Sequence, residues 1–144
     1  MARPIKKGID YFSFDTDFFT NDRKIKKLRL KYNSLGIIVY IYLITQAYKE
    51  YGYYLIYDED IHTDIIDLLG CQEKELTDII NYLIDIKLLT SLEIARDIKI
   101  LTSERIQRTY QASVKVRGHK TKVIVNKEIW LLSEEETPDY MKIE

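Results

Sequence analysis

From Leu35 to Ile44 the chain is apolar or aromatic at every position except Gly36. A helix that is apolar on all sides has no face for water, so it sits at the centre of a fold or in a bilayer. This run is far short of the roughly 18 residues that suggest a membrane span. It is therefore expected to be the central helix of a folded domain, capped by Ser34 and running to about Glu50. The other elements have to cover it.

The covering elements can be read from periodicity and punctuation. Thr20 or Asn21 is expected to cap a preceding helix whose inner face is Ile25, Leu28 and Tyr32 and whose outer face is Arg23, Lys24, Lys26, Lys27 and Lys31. Gly52 ends the central helix, and Tyr53 to Tyr57 form a short run of β character. Asp58 caps a third helix with Ile61, Ile65, Leu68 and Leu69 inward, and Gly70 stops it. After a tight turn at Cys71 and Gln72 comes a fourth helix that buries Leu76, Ile79, Ile80, Leu83 and Ile84. Leu88–Thr90 and Lys99–Thr102 read as two strands joined by Ser91–Ile98, and Thr102 or Ser103 caps a last helix to about Ser113.

Two helices joined by a short Gly-containing turn and followed by a two-stranded ribbon predict a winged helix-turn-helix. The expected fold class is mainly α (α+β), with a two- to three-stranded wing and an extra C-terminal helix. Residues 1–19, rich in aromatics (Tyr11, Phe12, Phe14, Phe18, Phe19), are expected to be an arm packed on the core. Residues 20–113 form the winged-helix domain. Residues 114–144 are a basic and then acidic tail, partly disordered, with a β-like Lys122–Val125. Its apolar knot at Ile129, Trp130, Leu131 and Leu132 is expected to dock on this domain or on a neighbour, and Trp130, Leu131 and Leu132 are the candidate partner-binding residues.

At 144 residues the chain fits one domain, large enough to bury roughly 70% of its unfolded surface without staples. The lone Cys71 has no partner within the chain, which predicts a reduced, cytoplasmic protein. No apolar stretch follows Met1, so no secretory signal is expected. Catalysis finds no support. His62 and His119 lack a second ligand at metal spacing, there is no Gly-rich phosphate loop, and Asp58, Glu59 and Asp60 read as a charged helix start. Asp15 and Asp17 read as solvated or capping residues. No enzyme activity, cofactor, metal, small-molecule substrate or membrane partner is expected.

The net charge of −1 hides a segregation. Residues 1–31 carry nine Lys/Arg and four Asp/Glu, residues 50–104 carry thirteen acids and four bases, and residues 105–127 carry seven bases and no acid. Basic ends around an acidic middle suggest polyanion contact at the ends or pairing between subunits. The fourth helix offers Lys74, Thr77, Asn81 and Lys87 to a major groove, but Glu73, Glu75, Asp78 and Asp85 beside them oppose phosphates, so it is a poor base reader. The stronger candidates for non-specific DNA contact are Lys24, Lys27 and Lys31 on the first helix and Arg105, Arg108, Lys115, Arg117, Lys120 and Lys122 near the C-terminus. Tyr110 and the aromatic arm do not alternate with these bases, so no stacking platform for single strands is expected.

Several stretches resemble a known family. They are Ala2-Arg3-Pro4-Ile5-Lys6-Lys7-Gly8, Asp10-Tyr11-Phe12 with Asp15-Thr16-Asp17-Phe18-Phe19, Gly52-Tyr53-Tyr54-Leu55, and Leu101-Thr102-Ser103 with Ile106-Gln107-Arg108. The chain resembles the N-terminal winged-helix domain of phage and mobile-element replication-initiation (replisome organiser) proteins, a Lin-type domain of unknown function related to DnaD-like primosome proteins. The resemblance covers about residues 2 to 112. It implies a replication-initiation module that self-assembles into a homo-oligomer and contacts DNA weakly, with a replicative helicase or its loader as a further partner. Thr109 stands where the resemblance implies another base. Relatives of that kind continue into a second, DnaD-like region, so a truncated or stand-alone short member is expected. Two alternatives stay open: an oligomerisation or adaptor domain with no DNA affinity of its own, and a winged-helix transcriptional regulator.

Overall fold

The structure is a computed structural model that describes residues 7–144; the start of the first resemblance block, residues 2–6, lies outside the described residues. The described residues are mixed α/β, with five helices, a three-stranded antiparallel sheet and a two-stranded parallel pair.

The central helix is where the apolar run predicts it, but it is continuous with the helix before it. Helix α1 spans Arg23–Glu50, and the expected break survives only at Asn33, whose φ of 56° and ψ of −147° interrupt the helical geometry. Asparagine tolerates positive φ better than most residues. The N-cap is Asp22, not Thr20 or Asn21: its Oδ1 accepts from the amides of Lys24 at 3.0 Å and Ile25 at 3.2 Å. Thr20 and Asn21 belong instead to the turn before it, where both amides bond to the carbonyl of Asp17. Ile25, Leu28, Val39, Tyr40, Leu43 and Ala47 of α1 are buried almost completely, and the helix touches α2, α3, α4 and β1. The stretch from Gly8 to Phe18 lies along it. The amide of Ile9 bonds to the Tyr48 carbonyl at 2.8 Å, and Phe12 stacks on Tyr48 with ring centroids 4.5 Å apart.

Strand β1 (Leu55–Tyr57) leads into α2 (Glu59–Leu69), capped by Asp58 and ended by Gly70 in the left-handed conformation. Cys71 and Gln72 complete the turn into α3 (Glu73–Asp85). Strands β2 (Thr90–Ala95) and β3 (Ile98–Thr102) form a hairpin, and the sheet order is β1-β3-β2. Leu55 pairs with Leu101, and Ser91 pairs with Leu101 from the other side. The expected long connector Ser91–Ile98 is mostly strand. Leu92 and Ile94 turn inward and alternate with exposed Ser91 and Glu93, and the turn is only Arg96-Asp97, with Asp97 at φ 64°.

Helix α4 (Glu104–Ser113) is capped by Ser103, whose Oγ accepts from the Ile106 amide at 3.1 Å. Beyond it the structure departs from the expected loose tail. A short helix α5 (Lys115–Lys120) is followed by β4 (Val123–Val125) and, at the acid-rich end, by β5 (Met141–Ile143), which pairs in parallel with β4. The apolar knot docks on its own domain. Ile129, Trp130 and Leu132 are buried, Leu131 is half-buried, and the Trp130 indole donates to Thr137 Oγ1 at 2.9 Å. Trp130 and Leu132 therefore complete the core of this chain and are not open to a partner.

A buried polar side chain closes this join. Gln107, fully buried on α4, accepts from the Leu131 amide at 2.6 Å and donates to the Ile129 carbonyl at 3.0 Å and to Thr102 Oγ1 at 3.1 Å. Replacing it with Leu keeps the volume but leaves buried backbone groups unpartnered, at about 1–3 kcal/mol for each group. Gln107→Leu is expected to lower stability by about 2–4 kcal/mol in urea denaturation. A loss under about 0.5 kcal/mol would show that the C-terminal segment is not held through this side chain.

Candidate nucleic-acid interface

The acid-free stretch from 105 to 127 is not a free arm but one wall of a groove. Val114, buried between α4 and α5, lets the chain turn, and Gly118 sets α5 against the Tyr140 ring: a Cβ on it would lie 2.7 Å from Tyr140 Cδ2. The Tyr140 hydroxyl donates to the Gln111 carbonyl at 2.6 Å and fixes that ring in turn. With α5 and β4 anchored, Lys115, Val116, Lys120, Lys122 and Ile124 project outward, while Val123 and Val125 point into the core.

The opposite wall is the turn between α1 and β1. Gly52 has φ 93°, and a Cβ there would come within 2.1 Å of Tyr110 Cε1, so both the turn and the close approach of that ring require glycine. Tyr51 and Tyr54 flank it and stack on one another, centroids 4.5 Å apart and planes 11° from parallel. Tyr53 meets Tyr54 edge-on at 4.8 Å and is fixed from behind by Trp130. Its hydroxyl accepts from the Asn126 amide at 3.0 Å. Lys7 reaches over Tyr51, its Nζ 5.7 Å from the ring centre.

Between the walls lies a groove of about 750 Å³ bordered by Lys7, Arg117, Lys120 and Lys122 and floored by tyrosines; among the described residues no carboxylate lines it. Burial, reinforced by the neighbouring Tyr53 and Tyr51, pushes the Tyr54 phenol up to about 12. Burial does the same to Tyr110, to about 12, against the lowering effect of the Arg117 cation. Both rings stay neutral, so the charge of the groove is that of its cations.

The predicted DNA-contacting residues divide into two sets. Several are used up in holding the fold. Arg105 pairs with the cap Asp22 at 2.7 Å and hydrogen-bonds Tyr40. Arg108 pairs with Glu104 at 3.0 Å and Glu136 at 3.4 Å. Lys24 donates to the Lys87 carbonyl at 3.0 Å, and Lys31 lies over the Tyr82 ring at 4.7 Å. Arg117 donates to the carbonyls of Lys7 and Gly8 and so fastens the N-terminal arm. The second set is exposed: Lys27 on α1, Lys74, Thr77 and Asn81 on α3, and Lys115, Lys120 and Lys122 near the groove. On α3 the exposed Glu73, Glu75, Asp78 and Asp85 surround Lys74, Thr77 and Asn81, while Thr77 donates its hydroxyl to the Glu73 carbonyl. At the groove the exposed Lys120 and Lys122 face tyrosines with no carboxylate in the lining, while Asp139 shares the neighbouring hollow with the same two lysines. The tyrosine wall escapes sequence reasoning because Tyr51 and Tyr54 are distant in sequence from the lysines they face.

The family model described as Lin1244/Lin1753-like, N-terminal, matches residues 11–106. The chain belongs to that family. Lin1244/Lin1753-like N-terminal domains are a family of unknown function. The match runs from the aromatic stretch before α1 into the first turn of α4, so the tyrosine wall falls inside it while α5 and β4 follow it. No curated protein and no solved structure matches the chain. Among the described residues no helix is long and apolar enough to cross a membrane, and no group of three or more His, Cys, Asp or Glu side chains is placed to hold a metal ion.

Tyr48, Tyr54 and Tyr110 stay protonated to about 12, against 10.0 for an exposed phenol. An unfolded chain releases these protons first. Their contribution to stability is therefore complete below pH 10.0 and is lost as the pH rises toward about 12. Following phenolate absorbance, a late-ionising group of tyrosines is expected in the native protein, merging with the main phase in denaturant. One transition at the ordinary phenol value without denaturant would contradict this packing.

Proposed function

We propose that this chain is a non-enzymatic winged-helix module of DNA-replication initiation in phages or mobile elements, which assembles with copies of itself and contacts DNA through phosphates without reading sequence. The observation that carries the DNA part is the exposed pair Lys120 and Lys122 on the α5–β4 wall, beside a groove lined by no carboxylate among the described residues, with Lys115 exposed at the start of α5. Exposed ammonium groups displace condensed counterions from a phosphate backbone and give affinity with little sequence preference. The winged-helix part is supported by the element order α1-β1-α2-α3-β2-β3, by the three-residue turn between α2 and α3, and by the sheet order β1-β3-β2. The acidic surface of α3 argues against major-groove readout by that helix, and so against a sequence-specific regulator. Assembly is supported by large apolar side chains that remain exposed, among them Leu30, Ile38 and Leu68. The replication context rests on the resemblance of the Gly52-Tyr53-Tyr54-Leu55 and Leu101-Thr102-Ser103 stretches to replisome-organiser domains.

Fluorescence anisotropy with labelled duplex DNA across a salt series tests this, with light scattering on the same sample. The double variant Lys120→Glu/Lys122→Glu spares Arg117, which holds the arm. It is expected to weaken binding uniformly across sequences and to reduce the salt slope by about 2, one for each lysine. Unchanged affinity in this variant would remove the α5–β4 wall as the DNA surface. A strictly monomeric protein at high concentration would remove the assembly half of the proposal.

A further inference from the structure

Lysines alone would serve a duplex; the tyrosines opposite them have no part in tracking phosphates. In a duplex, each base has both faces covered by its neighbours, so only a strand with unstacked bases can present a face to a protein ring. The groove combines what such a strand needs. Its rim is cationic and lined by no carboxylate, its floor holds the stacked, half-exposed Tyr51–Tyr54 pair, and Val116 and Ile124 stay exposed at its edge. The rings are prepared for contact. Gly52 fixes their turn, Tyr53 and Trp130 support it from behind, and burial keeps Tyr54 neutral. An acidic peptide would satisfy the cations but leave the aromatic pair without a role.

We propose that the groove between the α1–β1 turn and the α5–β4 wall takes single-stranded DNA, its bases stacking on Tyr51 and Tyr54 and its phosphates following Lys7, Lys120 and Lys122. This deepens the DNA-contact reading above and rests on it. Selectivity comes from strand state rather than sequence, because every base has a π-face.

The test compares three probes of equal length with the intact chain: a thymidine oligonucleotide, the same backbone with abasic sites, and a duplex. The thymidine strand is expected to bind at least about tenfold more tightly than the abasic one, since stacking on an aromatic ring accounts for roughly that factor or more per base. Tyr51→Ala and Tyr54→Ala are each expected to cost about tenfold or more for the thymidine strand and to leave duplex affinity unmoved. Tyr51→Phe and Tyr54→Phe keep the ring and the fold and should retain single-strand binding. Equal binding of abasic and thymidine strands would overturn this inference while leaving the duplex contact of Lys120 and Lys122 intact. Tighter binding of an acidic peptide than of the thymidine strand would also overturn it. Failure of all DNA probes at low salt would overturn both readings together.

Discussion

A line of buried hydrogen bonds joins parts of the chain that are far apart in sequence. The Leu131 amide donates to Gln107, Gln107 donates to Thr102 Oγ1, and the Thr102 hydroxyl donates to the Tyr53 carbonyl. Thr102 and Gln107 are both fully buried. In a medium of low polarity each bond is stronger than in water, and each missing partner would be correspondingly costly, so the line forms as a unit or not at all. It links the C-terminal segment to α4, α4 to the central strand β3, and β3 to the turn after α1. The Leu101-Thr102-Ser103 and Gln107 stretch stands out in the sequence for this physical reason: it holds the strand, the cap and the relay within a few residues.

The groove is a consequence of that line. Its tyrosine wall hangs on the Tyr53 backbone, and its lysine wall hangs on the segment that Gln107 and Trp130 draw back over the core. Neither wall could face the other if the C-terminal residues were a loose tail. The arm adds a third edge. Arg117 grips the carbonyls of Lys7 and Gly8, which places Lys7 above Tyr51. Packing that is ordinary in itself thus collects rings and cations from four separate stretches of chain, with no carboxylate among the described residues that line the groove.

What could be read from the sequence was whatever is encoded locally. Asp58 and Gly70 bracket α2, Ser103 caps α4, and the apolar run marks the buried half of α1. The missed features depend on contacts between distant residues or on atypical punctuation. Leu92 and Ile94 carry a period of two, but Arg96-Asp97 lacks the glycine that would announce a hairpin, and Asp97 itself takes the positive φ. Helix α5 has no apolar stripe; its place is set by Gly118 against Tyr140. Strand β5 lies in an acid-rich stretch and exists because β4 is beside it. The groove is the extreme case, since each of its walls looks unremarkable until the relay brings them together.

Charge counting along the chain gives Arg105, Arg108 and Arg117 the same weight as Lys120. In the fold they differ by chemistry. A guanidinium presents several donors in a rigid plane and suits fixed acceptors at a joint, whereas an ammonium is a strongly hydrated point charge on a flexible stem. The three arginines are accordingly spent on a helix cap, on two carboxylates and on the carbonyls of the arm. The lysines remain at the surface. At the groove the one arginine, Arg117, is turned to the carbonyls of the arm, so the side chain best suited to gripping a guanine edge is engaged there and the lysines beside it favour phosphates over bases in a duplex. Only the tyrosine wall can then respond to the bases at all, and it responds to whether they are stacked rather than to which they are.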